Sequence, residues 1–324
     1  MDVGIWPWIL FHVFVLTLLV IDLGVFNREA HAVTVREASI WTAVWVSLSA
    51  MFCALLYFWK GGDSALKFAT GYIIEYSLSV DNIFVFVLIF ASFRVPAEFQ
   101  HRVLFWGILG AIIMRGLFIG LGTALINQFH WIIYVFGAFL IFSGIKMAFH
   151  KDEEMHPEDN PVVKFFRRFV PMTRSYSGKD FFVRENGRLM ATPLMLVLVI
   201  VETSDVIFAV DSIPAIFAIT TDPFLVYTSN LFAILGLRSL YFLLAGVVDK
   251  FHYLKLALSI ILTFVGVKMV SGAFGLHIGT GLSLGVIGGV LFTAIVASLL
   301  RAKRIERTAT PVDPDPSAPG PTEP

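Results

Sequence analysis

Six carboxylates interrupt stretches of the chain that are otherwise apolar: Asp22, Glu75, Asp81, Glu202, Asp205 and Asp211. Amide and hydroxyl oxygens accompany them at helical spacing. Glu75 and Asn82 stand seven residues apart with Ser79 between them, and Glu202, Asp205 and Ser212 follow a similar spacing, so on a helix each set shares one face. Asp81 and Asp211 each fall six residues after an acid, about 120° round the same helix, so all the acids can converge only if two helices face each other. Pro214 removes a backbone donor and displaces the carbonyl of Val210, which makes either a simple kink or one more oxygen ligand.

Each charge at a bilayer centre costs roughly 2.5–3.5 kcal/mol on insertion scales. Acids so placed must pair, take up protons or bind a cation. Arg115 and Arg238, also within apolar stretches, are the expected pairing partners. A ligand set made only of oxygens suits a hard or borderline divalent ion such as Mn²⁺, Mg²⁺ or Ca²⁺. Of eight histidines only His12 lies well inside an apolar stretch, which gives no support to a bis-histidine haem or a zinc site. Lys146 and Lys268, near the ends of their stretches, are expected to reach toward headgroups, and His130 and His252 to anchor at the interface.

The elements that hold these residues must be membrane helices. Of 324 residues, 57% are hydrophobic and only 15% charged, and the mean hydropathy is +0.80; a soluble surface needs roughly 25% charged residues. The 24 Lys and Arg balance the 24 Asp and Glu, so no basic field attracts nucleic acid. A single cysteine, Cys53, allows neither an internal disulfide nor a CxxC pair.

A ruler of about 20 apolar residues per span gives nine: 6–26, 38–59, 66–93, 103–126, 131–149, 190–219, 224–248, 254–275 and 280–300. No Lys or Arg precedes the first and no small-residue cleavage site follows it, so it is expected to stay as a helix. Alternate connections carry eighteen Lys and Arg on one side and two, Lys60 and Lys67, on the other. The positive-inside rule therefore puts the N-terminus outside and the C-terminus in the cytoplasm of an inner membrane. The domain expected is one polytopic unit over 1–307, with a cytoplasmic loop at 150–189 and a proline-rich disordered tail at 308–324. Within the loop, the acids from Asp152 to Asp159 read as a solvated segment, Val162–Val170 as a short interfacial helix, and Asn186-Gly187 as the turn of a small hairpin.

Internal similarity organises the spans. Val80-Asp81-Asn82-Ile83 matches Val210-Asp211-Ser212-Ile213 at an offset of 130, which also lays Glu75 over Asp205. Further on, Ile108-Leu109-Gly110 matches Ile234-Leu235-Gly236, Phe129-His130 matches Phe251-His252, and Gly144-Ile145-Lys146-Met147 matches Gly266-Val267-Lys268-Met269. Spans three to five thus correspond to spans six to eight, and three being odd, the copies are expected to run in opposite directions, as in secondary transporters with a midplane site. The fold class expected is an all-α membrane protein with a 3+3 inverted repeat.

The segments Glu75 to Asn82 and Glu202 to Ile216, together with Ala191-Thr192-Pro193-Leu194 and Thr221-Asp222-Pro223-Phe224, resemble the signature motifs of the TerC/Alx family of integral membrane proteins. The resemblance covers about residues 6–300. It implies kinship with LysE-like exporters, a link to manganese export and metal homeostasis, and a history of tellurite-resistance and redox proposals. It also implies that Glu75, Asp81, Asn82, Glu202, Asp205, Asp211 and Ser212 are the metal residues.

The expectation is a secondary transporter, not an enzyme, that exports a divalent cation, foremost Mn²⁺, by proton antiport. Mn²⁺ is its cargo, with no permanently bound cofactor. The bilayer and the metal are the partners expected. A membrane redox modulator, a metal-delivery protein and a tellurite-handling protein stand as alternatives. The orientation is open to direct test. With Cys53 replaced, Lys179→Cys or Arg184→Cys is expected to resist an impermeant maleimide in intact cells and to react after permeabilisation; labelling of intact cells would reverse the assignment.

Overall fold

A computed structural model describes residues 4–21, 34–149, 161–173, 175–185, 187–245, 252–276 and 278–309. Asp22, the acids from Asp152 to Asp159 and the tail beyond 309 lie outside the described residues. The helices are α1 (Ile5–Ile21), α2 (Val35–Lys60), α3 (Gly62–Ser92), α4 (Ala97–Gln128), α5 (Ile132–Phe149), α6 (Pro161–Phe169), α7 (Pro193–Phe217), α8 (Pro223–Leu244), α9 (Leu254–Ser271) and α10 (Thr280–Ala309). A two-stranded sheet, β1 (Phe182–Glu185) and β2 (Arg188–Ala191), lies between α6 and α7. The protein is an all-α membrane protein. Eight helices are long and apolar enough to cross a bilayer, and α1, at 17 described residues, is a shorter apolar helix where the sequence pattern gives the first of nine spans.

Local chemistry sets the helix boundaries. Thr34 accepts a hydrogen bond from the Glu37 amide at 3.3 Å, the arrangement expected when a threonine caps a helix three residues before a glutamate. Asp222 caps α8 by accepting from the amides of Phe224 and Leu225, with Pro223 occupying the first turn, where its missing N–H leaves nothing unsatisfied. Gly61, at φ +88°, breaks the chain between α2 and α3 in a conformation that other residues rarely adopt. The hairpin forms where the turn residues placed it: β1 and β2 pair antiparallel with Glu185 opposite Arg188, and Gly187 takes φ +76°.

The interior is arranged around α8, which is buried continuously from Phe224 to Tyr241. It packs against α2, α3 and α4, while α7 packs against α3 and α4. Its Thr228 and Ser229 turn their hydroxyls onto backbone carbonyls of the preceding turn, which satisfies them without water. A helix enclosed by other helices can carry polar groups because they never meet lipid.

α5 and α9 form a second, closer pair built on small residues. A β-carbon on Gly137 would lie 3.0 Å from the Gly266 carbonyl oxygen, and one on Gly266 would lie 2.6 Å from the Gly137 oxygen. At the other end of the contact Gly144 faces the Ser259 backbone, and the Ser259 hydroxyl donates to the Gly144 carbonyl at 2.6 Å. The offset that carries Gly144 onto Gly266 also carries Gly137 onto Ser259, so the contact maps onto itself with the two helices antiparallel. Small residues at such positions let backbones approach where dispersion and hydrogen bonding, rather than water exclusion, drive association.

Gly266→Ala is therefore expected to destabilise the protein by about 1–3 kcal/mol through overpacking. Gly120, with nothing within 4 Å of an added β-carbon, is the control, and Gly120→Ala should leave the thermal midpoint of the purified protein unchanged or slightly raised, since alanine suits a helix interior better than glycine. Equal midpoints for both variants would show that the α5–α9 contact is looser than described.

Candidate functional site

Arg115 enters the interior from the middle of α4, and three other helices supply groups to its guanidinium. Nη1 donates to a Glu75 carboxylate oxygen on α3, to Ser212 Oγ on α7 at 2.9 Å and to Asn230 Oδ1 on α8 at 3.0 Å. Nη2 reaches Asp205 Oδ1 on α7 at 3.4 Å. Asn230 closes the ring by donating from Nδ2 to the other oxygen of Glu75 at 3.1 Å. Arg115 and Glu75 are each 1% exposed and Asn230 is fully buried. The two carboxylates face one guanidinium, and the Arg115–Glu75 contact is a buried, charge-assisted pair.

A small cavity of about 20 Å³ adjoins this cluster. Its polar lining is Glu75, Asp81, Asn82, Arg115, Asp211 and Ser212, joined by apolar residues of α3, α5, α7 and α9. A cavity of roughly 10–15 Å³ admits one water-sized sphere, so the space suits a single small guest. Asp211 is held from the side by Ser143 on α5, whose hydroxyl donates to Oδ1 at 2.8 Å. Asn82, 2% exposed, presents Oδ1 with no hydrogen-bond partner, and Ser79 Oγ and Asp205 Oδ2 are likewise buried and unpartnered. An unsatisfied buried oxygen costs about 1–3 kcal/mol, which Asn82 Oδ1, on the wall of the small cavity, would recover by taking up a cation or water.

The facing acids expected from the sequence thus meet across α3 and α7. Glu75, Asp81, Asn82, Asp211 and Ser212 line one cavity, while Asp205 approaches the guanidinium from the far side. Glu202 stands apart. Its carboxylate is half-buried and lies against Gly110 on α4, in the space that a β-carbon there would fill. Arg238, 6% exposed, lines a separate cavity of about 10 Å³ that also touches Asp205. Among the described residues no three His, Cys, Asp or Glu side chains lie close enough together to hold a metal ion. In this conformation Glu75 and Asp205 converge on a guanidinium.

Sequence reasoning passed over Asn230 and Ser143. The signal for Asn230 was available in Thr228-Ser229-Asn230, three polar residues running inside a span, which only a fully enclosed helix carries without loss.

A larger cavity of about 680 Å³ opens at the end of the bundle where α2 meets α3 and α7 meets α8. Lys67, Thr123, Asn127, Thr220 and Asp222 supply its polar lining, and Lys60 bridges Asp222 at 2.7 Å beside it. Phe217, five residues along α7 from Ser212, forms part of its floor. Its ring fills the space left by Gly122, where a β-carbon would lie 2.6 Å away, and stacks on Phe136 with centroids 6.4 Å apart.

Over residues 60–306 the sequence matches the Integral membrane protein TerC family. The membrane protein STKORF319 of Myxococcus xanthus is 53% identical over 296 residues, covering 91% of this chain and 92% of the relative. A protein of Escherichia coli K12 that carries the name membrane-bound redox modulator Alx is 51% identical over 298 residues, covering 89% and 92%. A membrane protein of Rickettsia bellii is 38% identical over 300 residues, covering 93% and 99%. No solved structure matches.

Removing the guanidinium isolates two buried carboxylates. Arg115→Met is expected to lose about 3–5 kcal/mol, the usual penalty for breaking a buried pair from one side. Adding Glu75→Gln and Asp205→Asn to it should restore most of that stability, because the stranded charges go with their partner. Denaturation of the purified variants checks this, and an unaltered Arg115→Met midpoint would dissolve the network as a stabilising element.

Proposed function

The chain belongs to the TerC family of integral membrane proteins, and on that premise we propose that it is a secondary transporter exporting a divalent cation, foremost Mn²⁺, from the cytoplasm in exchange for protons. The observation that carries the reading is the buried cavity between α3 and α7, with two aspartates, an amide oxygen and a serine hydroxyl on its wall and Asn82 Oδ1 unpartnered. Oxygen ligands of this kind select hard and borderline dications. Spanning helices carry them, so the site is reached from water only through the protein.

Charge gives the cycle its logic. Glu75 and Asp205 hold Arg115, while Asp81 and Asp211 add two further carboxylates beside the cavity. A dication drawn in by Asp81 and Asp211 competes with the guanidinium for the same oxygens, so Arg115 acts as the resident counter-charge that the ion displaces. Two protons neutralise the same pair of carboxylates as one dication, and that equivalence is the basis of exchange: a ligand shifts an equilibrium only by binding one state better than the other. Glu202, one turn before Asp205 on α7, serves ions that approach from the inner side, and the larger cavity beyond Phe217 serves release.

A second reading comes from the name of the Escherichia coli relative: a membrane protein that modulates redox state. Cys53, the one cysteine, has its Sγ 3.4 Å from the Ala65 carbonyl oxygen. That reading calls for a bound chromophore, seen as an absorption band in purified protein.

The expected outcome for transport is that Asp81→Asn and Asp211→Asn each abolish Mn²⁺ efflux from loaded proteoliposomes, while Glu202→Gln reduces it. Asparagine keeps the volume and one carbonyl ligand, so the loss belongs to charge. An acidic exterior should speed efflux and carry protons inward, read with a pH dye. Wild-type efflux in both aspartate variants would refute the site, and efflux indifferent to pH gradients would refute proton coupling.

A further inference from the structure

The α6 helix, Pro-Val-Val-Lys-Phe-Phe-Arg-Arg-Phe, contains three cations and no acid. At about 100° per residue its apolar side chains cover an arc roughly 160° wide, from Phe165 through Phe169, Val162 and Phe166 to Val163. The bundle takes only half of that arc. Val163 is 1% exposed and packs in the cluster formed by Phe90 at the end of α3, Val103 near the start of α4 and Leu194 and Val197 at the start of α7, with Phe166 partly buried beside it. The other half, Phe165 and Phe169, stands 67% and 65% exposed, with the two rings 4.7 Å apart. Lys164 and Arg168, one turn apart, flank these rings on the side away from the bundle, and Arg167 lies beside them.

The helix is held firmly at that level. Directly after it, Pro171 and Thr173 exchange backbone hydrogen bonds with Ala191, the last residue of β2, at 2.8 and 2.9 Å. α6 is thereby tied to the hairpin and packs on α7, with Val163 in the apolar cluster at the ends of α3, α4 and α7, the level at which spanning helices meet headgroups. An aromatic pair exposed to bulk water at this height is unfavourable, whereas the same pair in the acyl boundary is not, and the cations beside it match the charge of acidic headgroups.

We infer that the exposed face of α6 is a binding surface for anionic phospholipids of the adjoining leaflet: Phe165 and Phe169 enter the acyl boundary, and Lys164, Arg167 and Arg168 hold lipid phosphates. The surface is independent of the transport reading, since it uses none of the buried carboxylates.

The test is hydrogen exchange of residues 161–170 in the full chain, reconstituted in nanodiscs of phosphatidylcholine alone or with about one third phosphatidylglycerol. Exchange is expected to slow about tenfold in the anionic discs at low salt and to revert at about 0.5 M salt, where screening reaches within a few ångströms. Lys164→Gln, Arg167→Gln and Arg168→Gln together should erase the difference between the two lipids. Phe165→Ser with Phe169→Ser should speed exchange in both. All five side chains are exposed, so the bundle is retained in each variant, which unchanged exchange in α8 verifies. Equal exchange in the two lipids overturns the proposal. So does slowing that appears only when a soluble protein is added, which would make α6 a docking surface for that protein instead.

Discussion

A single buried guanidinium sets the terms for the rest of this structure. Arg115 can remain charged in the interior only if anions and hydrogen-bond acceptors surround it, and Glu75, Asp205, Ser212 and Asn230 do so from three other helices. That requirement fixes the relative positions of α3, α4, α7 and α8. A slide of one helix by a turn, about 5.4 Å, would separate charges that are costly to leave alone in a low-dielectric interior. The packing of the four helices and the pairing of their charges are therefore one constraint.

Enclosure of α8 follows from the same cause. Asn230 bridges Arg115 and Glu75, so α8 must reach the centre, and its neighbours then shield Thr228, Ser229 and Asn230 from lipid. α5 and α9 solve a different problem. They carry no part of the ion-pair cluster, yet Ser143 on α5 holds Asp211, and Met147 and Leu262 close the small cavity. Glycines at 137, 144 and 266 bring these two helices close enough together to form that wall.

On the proposed export reading, an interior of this kind has a consequence for ion movement. The carboxylates that would attract a dication are in part already satisfied by a cation belonging to the protein, so any ion that binds them must do so in competition with Arg115. Competition of that sort makes occupancy depend on conformation, which an alternating-access cycle requires. Phe217, wedged into the space left by Gly122 between the cluster and the wider cavity, stands three residues beyond Pro214, where the helix lacks one backbone donor and bends at lower cost.

Much of this was legible in the sequence. Hydropathy and length fixed the spanning helices because a bilayer leaves the backbone no other means of satisfying its polar groups. The turn at Gly187 and the α6 helix were readable from local residues, since their causes are local. Paired tetrapeptides indicated that α3 and α7 correspond, and the intramembrane acids and arginines marked the polar interior. Partner choice was not readable, because it depends on distances between helices far apart in the chain. Tertiary packing alone decided that Arg115 takes Glu75 and Asp205 together, that Asn230 completes the network, that Glu202 stands aside against Gly110, and that Asp81 and Asp211 share one small cavity. Each of these outcomes is set by how closely four helices approach, and that approach is governed by glycines and buried charges acting jointly, which no single stretch of sequence contains.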